Sequence, residues 1–125
     1  MSLDAIGIVS EDPARSIAFY QLLGVAIARF QDSEHYEATL PSGMRLMLDS
    51  VGLIKSFDPS YEHKRGGGPV LCFKLDSAAA VDAMHAAITG AGHRSIKAPW
   101  DAFWGHRYAC LADPDGNQVD LFSPL

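Results

Sequence analysis

Hydrophobic and polar residues alternate in short runs along most of this chain, and twice the two-residue period gives way to a helical one. The run Ala5-Ile6-Gly7-Ile8-Val9 reads as a strand with small residues at Ala5 and Gly7. Asp12-Pro13 follows as an N-cap and a first-turn proline, and opens a helix. Its stripe is Ala14, Ile17, Ala18, Gln21 and Leu22, and Gly24 ends it. Short strands at residues 25–30, 35–40 and 44–49 complete a βαβββ module.

The plan then repeats. Residues 69–75 are a strand, and Asp76 or Ser77 caps a helix whose Val81, Met84, Ile88 and Ala91 share one face, with Gly90 and Gly92 at its end. Strands at 94–98, 104–112 and 118–123 close the second module. The last two flank Asp113-Pro114-Asp115-Gly116-Asn117, where Pro114 presets φ and Asp115-Gly116 tolerates positive φ, which predicts a hairpin. Pro41-Ser42-Gly43 echoes this turn 73 positions upstream (114 − 41), and the same offset carries Met47 onto Asp120 and Ser50 onto Ser123. Between the modules, residues 51–68 read as a linker placed to fold over a cavity. Their Gly66-Gly67-Gly68 is a flexible joint and not a phosphate loop, because Pro69 and a strand follow it.

Composition narrows the function classes. At 125 residues, with 48% apolar and 20% charged residues, the chain is large enough for one packed domain, 1–125, made of module one at 1–50, the linker at 51–68 and module two at 69–125. A formal net charge of −5 argues against nucleic acid and anionic membrane as partners. No apolar run is long enough for a membrane span and no basic region precedes an apolar core, so a cytoplasmic location is expected. Cys72 and Cys110 stand singly in apolar runs and read as buried, reduced thiols. His35, His63, His85 and His93 are expected at the surface.

The segment from Val9 through Asp12-Pro13-Ala14-Arg15-Ser16-Ile17-Ala18-Phe19-Tyr20 to Leu23-Gly24 resembles the opening strand and helix of the vicinal oxygen chelate superfamily. Asp113 to Phe122 resembles its closing hairpin, and Trp104 to Arg107 is similar as well. That group includes glyoxalase I, extradiol dioxygenases and bleomycin-resistance proteins. The resemblance spans the chain and implies an α+β fold, two βαβββ modules forming a curved mixed sheet around a cavity. It also implies a metal site in the metal-dependent members, whose positions carried over by local motif are Asp4, Met47, Val70 and Asp120. Valine offers no ligand atom and a thioether suits hard or borderline ions poorly, so no metal and no other cofactor is expected.

Alternation places Asp4, Ile6 and Ile8 toward the cavity, with Arg45, Met47 and Asp49 on the fourth strand. Val70, Cys72 and Lys74 follow on the fifth, and Gln118, Asp120 and Phe122 on the eighth. Trp100, Phe103 and Trp104 add aromatic surface, with His106 and Arg107 as polar neighbours. The expectation is a metal-independent small-molecule-binding protein of the glyoxalase/bleomycin-resistance type, acting as a homodimer. The alternative is a metal-dependent lyase, isomerase or dioxygenase with an atypical site at Asp4 and Asp120. If the carboxylates at Asp4, Asp49 and Asp120 are unpaired, a cationic planar aromatic is the ligand they would favour.

Overall fold

The computed structural model describes all residues from Met1 to Leu125. The chain divides into two compact units, Met1–Lys64 and Arg65–Leu125. In the first, β1 (Ala5–Ser10) leads to α1 (Pro13–Leu22), then to β2 (Ala28–Arg29), β3 (His35–Thr39), β4 (Arg45–Ser50) and α2 (Val51–Phe57). The strands form a four-stranded sheet in the order β1-β4-β3-β2, with β1 and β4 parallel and the other pairs antiparallel.

Helix α1 starts where its cap predicts: the Asp12 carboxylate accepts from the Arg15 N–H at 3.3 Å and Pro13 takes the first position. Its buried face differs from the expected stripe. Ser16, Phe19 and Tyr20 are enclosed, whereas Ala14, Ala18, Gln21 and Leu22 are exposed. Two aromatic rings with centroids 5.0 Å apart bury far more area than small side chains do. The polar Ser16 is tolerated among them because its hydroxyl pairs with that of Ser10 on β1 at 2.7 Å. Ile8, Leu46 and Leu48 complete this core.

Part of the expected linker is helical. The Ser50 hydroxyl accepts from the Leu53 N–H at 3.0 Å and so caps α2, which lies against β1 and β4. With Gly52 in its first turn, the segment carries a weak helical signal, and the cap is the feature that fixes it.

The second unit repeats the topology. It comprises β5 (Leu71–Lys74), α3 (Ala78–Gly90), β6 (Arg94–Ala102), β7 (His106–Ala112) and β8 (Gln118–Pro124), with sheet order β5-β8-β7-β6. Strands β5 and β8 are parallel, and β6-β7 and β7-β8 are antiparallel. Ser77 is the cap of α3, accepting from the Ala80 N–H at 3.0 Å, and Val81 and Ile88 are its buried residues. Strand β6 runs past Pro99 to Ala102, four residues further than expected. As an edge strand it accommodates a proline, and register shifts between Ser95 and Lys97 and between Lys97 and Trp100 absorb the irregularity.

The β7–β8 hairpin forms as predicted. Asp113 is buried at its base: one carboxylate oxygen accepts from the Asp115 and Asn117 N–H groups, each at 2.9 Å, and the other from the Asn117 amide at 2.9 Å. Gly116 has φ 82° and Gly66 has φ 72°. The Gly66 N–H donates to the Asp115 carbonyl at 3.1 Å, and a Cβ on Gly66 would meet the Gly116 carbonyl oxygen at 2.9 Å. Close backbone approach therefore accounts for this glycine. The repeat is real as well: Glu37 pairs with Met47 and Cys110 with Asp120, positions related by the same offset of 73 (110 − 37).

Candidate functional site

In the first sheet the register determines which residues share a face. Met47 pairs with Gly7 on one side and Glu37 on the other, and a Cβ on Gly7 would lie 3.7 Å from the Met47 methyl. Ala5, Gly7 and Val9 therefore lie on the face of Arg45, Met47 and Asp49. Ile6 and Ile8 turn to the opposite face with Leu46 and Leu48, the side where Ser10 meets α1. The phase expected for β1 is reversed, and Ile6 does not line the face of Met47.

That face is a charge network. His35 sits between two carboxylates, Nδ1 at 2.5 Å from Asp49 and Nε2 at 2.8 Å from Glu37. Arg45 donates to Glu37 at 2.9 Å and to Asp4 at 2.8 Å. The Glu37 hydrogen bond, seconded by Asp49, raises the His35 pKa, and the same contact with His35 lowers that of Glu37. Asp4 and Asp49, which favour a cationic ligand only if unpaired, both have partners within this unit.

In the second sheet, two rows cross all four strands on the face turned from α3. Lys74 pairs with Phe122, Phe122 with Tyr108, and Tyr108 with Trp100. Beside that row, Cys72 pairs with Asp120, Asp120 with Cys110, and Cys110 with Lys97. The first row is aromatic: Tyr108 stacks on Phe122 at 6.2 Å, and Trp100 meets Tyr108 edge-on at 5.4 Å. Trp104 extends it, 5.2 Å from Tyr108 and 6.0 Å from Trp100, and His106 lies over Phe122 at 5.0 Å.

Asp120 lies low in the second row, only 4% exposed. Its oxygens accept from the Tyr108 hydroxyl at 2.5 Å and from the Gln118 amide at 2.9 Å. Burial, with the Asp120 carboxylate beside it, raises the Tyr108 pKa, so the phenol stays a donor. Burial and the same carboxylate push the Cys110 thiol up to about 11. Cys72 is exposed, with Sγ 3.8 Å from the Tyr108 hydroxyl, and so is not the buried thiol expected; it sits on an edge strand.

Three other expected site residues lie elsewhere. Arg107 pairs with Ser123 and Asp101, on the α3 side of the sheet, and grips Asp82 of α3 at 2.9 Å. Val70 precedes β5 and is 45% exposed. Phe103 is 97% exposed in the β6–β7 turn, touching Trp104 at 5.1 Å between centroids. The sequence does not mark Tyr108 or Glu37 as site residues, and it places His35 at the surface. Alternation along 104–112 places Tyr108 with His106 and Cys110, and was the available signal for it. Of the histidines expected at the surface, His35 is clamped as above, His63 bonds the Tyr61 hydroxyl at 3.0 Å, and His85 bonds Ser95 at 2.8 Å.

The donor set at the four positions carried over for a divalent ion does not fit one. Val70 has no donor and Met47 offers a thioether. Asp4 is committed to Arg45, and both Asp120 oxygens already accept hydrogen bonds.

Two units of one βαβββ plan, each with a mixed four-stranded sheet, define the paired-module α+β class. The chain belongs to the glyoxalase/bleomycin resistance protein/dioxygenase superfamily, whose sequence profile matches residues 2–121. Among similar solved structures is a glyoxalase-related enzyme from Fulvimarina pelagi, with 20% identity and a TM-score of 0.84 over 98% of this chain and 87% of that one. A glyoxalase/bleomycin resistance protein/dioxygenase family enzyme from Burkholderia phytofirmans matches at 21% identity and TM-score 0.82, with both chains covered in full. A lactoylglutathione lyase from Agrobacterium tumefaciens matches at 18% and 0.72, over 98% of this chain and 92% of that one. Comparison with curated proteins returns no match. At these identities the likeness is one of fold.

Proposed function

We propose that this chain is a metal-independent small-molecule-binding protein whose ligand lies on the aromatic row of the second sheet. The observation that carries this reading is the continuous Phe122–Tyr108–Trp100 row, extended by Trp104, with Trp104 itself 46% exposed. Rings that serve only as core are enclosed, as Phe19 and Tyr20 are at 0% exposure. Here Tyr108 and Trp100 keep part of their surface open and are held in fixed mutual orientations, which suits a planar ligand. The alternative, a metal-dependent lyase, isomerase or dioxygenase using Asp4 and Asp120, has only two carboxylates to draw on, and both are engaged.

The same reading takes the protein as a homodimer. Each sheet has two edge strands, β1 and β2 in one and β5 and β6 in the other, and pairing between copies is one way to cover such edges. The test of binding is calorimetric titration of chelator-treated protein with a panel of planar aromatic compounds. A ligand whose affinity falls by about fivefold or more in Trp100→Ala supports the site. Binding or turnover that depends on added divalent metal contradicts it.

A further inference from the structure

The charge on the second sheet's ligand face runs opposite to that of the whole chain. The chain carries a formal net charge of −5, yet on this face the register collects three cations, Lys74, Lys97 and Arg94, against one carboxylate. Lys74 ends the aromatic row, Lys97 ends the row of Asp120, and Arg94 ends the next, formed with Ala112 and Gln118. Asp120 makes no salt bridge with any of them, and its single charge leaves the cations in excess. Its two oxygens accept from Tyr108 and Gln118, and it is enclosed. The remaining acids of β6 and α3 that reach this sheet, Asp101 and Asp82, are taken up by Arg107 on the other face.

All three cations are exposed and none is in a salt bridge. Lys97 is also aimed, its Nζ 4.2 Å from the centroid of the Trp100 ring. An ammonium held over an aromatic face keeps its outer side free for an anion, and the neighbouring rings of the row, Tyr108 and Phe122, give the anion's apolar part a surface to lie on. The cationic ligand expected from unpaired carboxylates loses its basis, because Asp4, Asp49 and Asp120 all have partners within their own units.

We infer that the ligand is a planar aromatic anion, its ring on the Phe122–Tyr108–Trp100 row and its carboxylate, sulfonate or phenolate held by Lys97, with Lys74 and Arg94 adding attraction. This rests on the binding role proposed above, and the test separates the two. Three probes share one ring system and differ in charge: naphthalene-2-carboxylate, naphthalene-2-carboxamide and 2-naphthylmethylammonium. Each is titrated by calorimetry into the wild-type protein and into Lys74→Gln/Lys97→Gln, at low and high salt. The carboxylate is expected to bind tightest, with a preference over the amide that salt weakens. The double variant should lower carboxylate affinity by about two- to fivefold per lysine, and by more than it changes that of the amide, so that the preference between the two narrows. Equal binding of carboxylate and amide, or tighter binding of the ammonium, overturns the charge assignment and leaves the binding role standing. Absence of binding by all three contradicts both.

Discussion

His35 shows how one residue can set a pH window for its sheet. Its pKa is raised by Glu37 and then by Asp49, above an ordinary value of 6.5. Its stabilising contribution is therefore complete below pH 6.5 and is lost as pH rises through the folded-state value. Glu37 is lowered from 4.5 by His35, so its contribution is complete above pH 4.5 and is lost as pH falls through the folded-state value. The clamp is strongest between these limits. Urea denaturation of wild type and His35→Gln should give a larger stability difference near about pH 5.5 than near about pH 9. A difference that does not change with pH rules the clamp out as a contributor. Tyr108→Phe tests the second sheet in the same way. It keeps the ring in the row but removes a donor to a buried carboxylate, and should cost about 1–3 kcal/mol. A neutral result would mean that solvent readily replaces the hydroxyl.

At the scale of elements, how legible each piece was follows from how many signals agreed. The β7–β8 hairpin was readable because Pro114, Asp115, Gly116 and the flanking alternation all specify one geometry. Strand β1 was found, but its phase was not. Neither Ala5, Gly7 and Val9 nor Ile6 and Ile8 include a polar side chain, so alternation carries no polar mark to say which set faces α1. Asp4, used as that mark, lies just outside the strand and turns to Arg45. Arg107 was assigned by nearness to Trp104, whereas its register with Ser123 puts it on the opposite face. Helix α2 was missed because its cap, Ser50, is also the last residue of β4. The turn makes a prediction at this scale. Asp113→Ala leaves two N–H groups of the turn without their acceptor and should cost about 1–3 kcal/mol in chemical denaturation. Gly66→Ala should destabilise too, because the added Cβ meets backbone at 2.9 Å and the residue has φ 72°. A wild-type midpoint in that variant would show that the Gly66–Gly116 approach is not maintained in solution.

For the whole molecule, the doubled βαβββ plan is the most legible feature, since an offset of 73 read from two turns recurs in the strand register of both sheets. The candidate site was less so. Asp120, Cys72 and Trp100 were named from sequence, but Tyr108, which binds Asp120 and lies beside Trp100, emerged only from the cross-strand pairing. Sedimentation at low micromolar concentration tests the proposed pairing of two chains, and a persistent monomer would exclude it. Binding of a planar ligand on the aromatic face without a metal, as proposed above, can be followed residue by residue by heteronuclear NMR of chelator-treated protein. On adding naphthalene-2-carboxylate, the side-chain signals of Trp100, Trp104 and Tyr108 should shift first and furthest, and added divalent metal should not alter the response. Shifts that arise only after metal is supplied, or that leave all three rings untouched, would rule out metal-independent binding on this face.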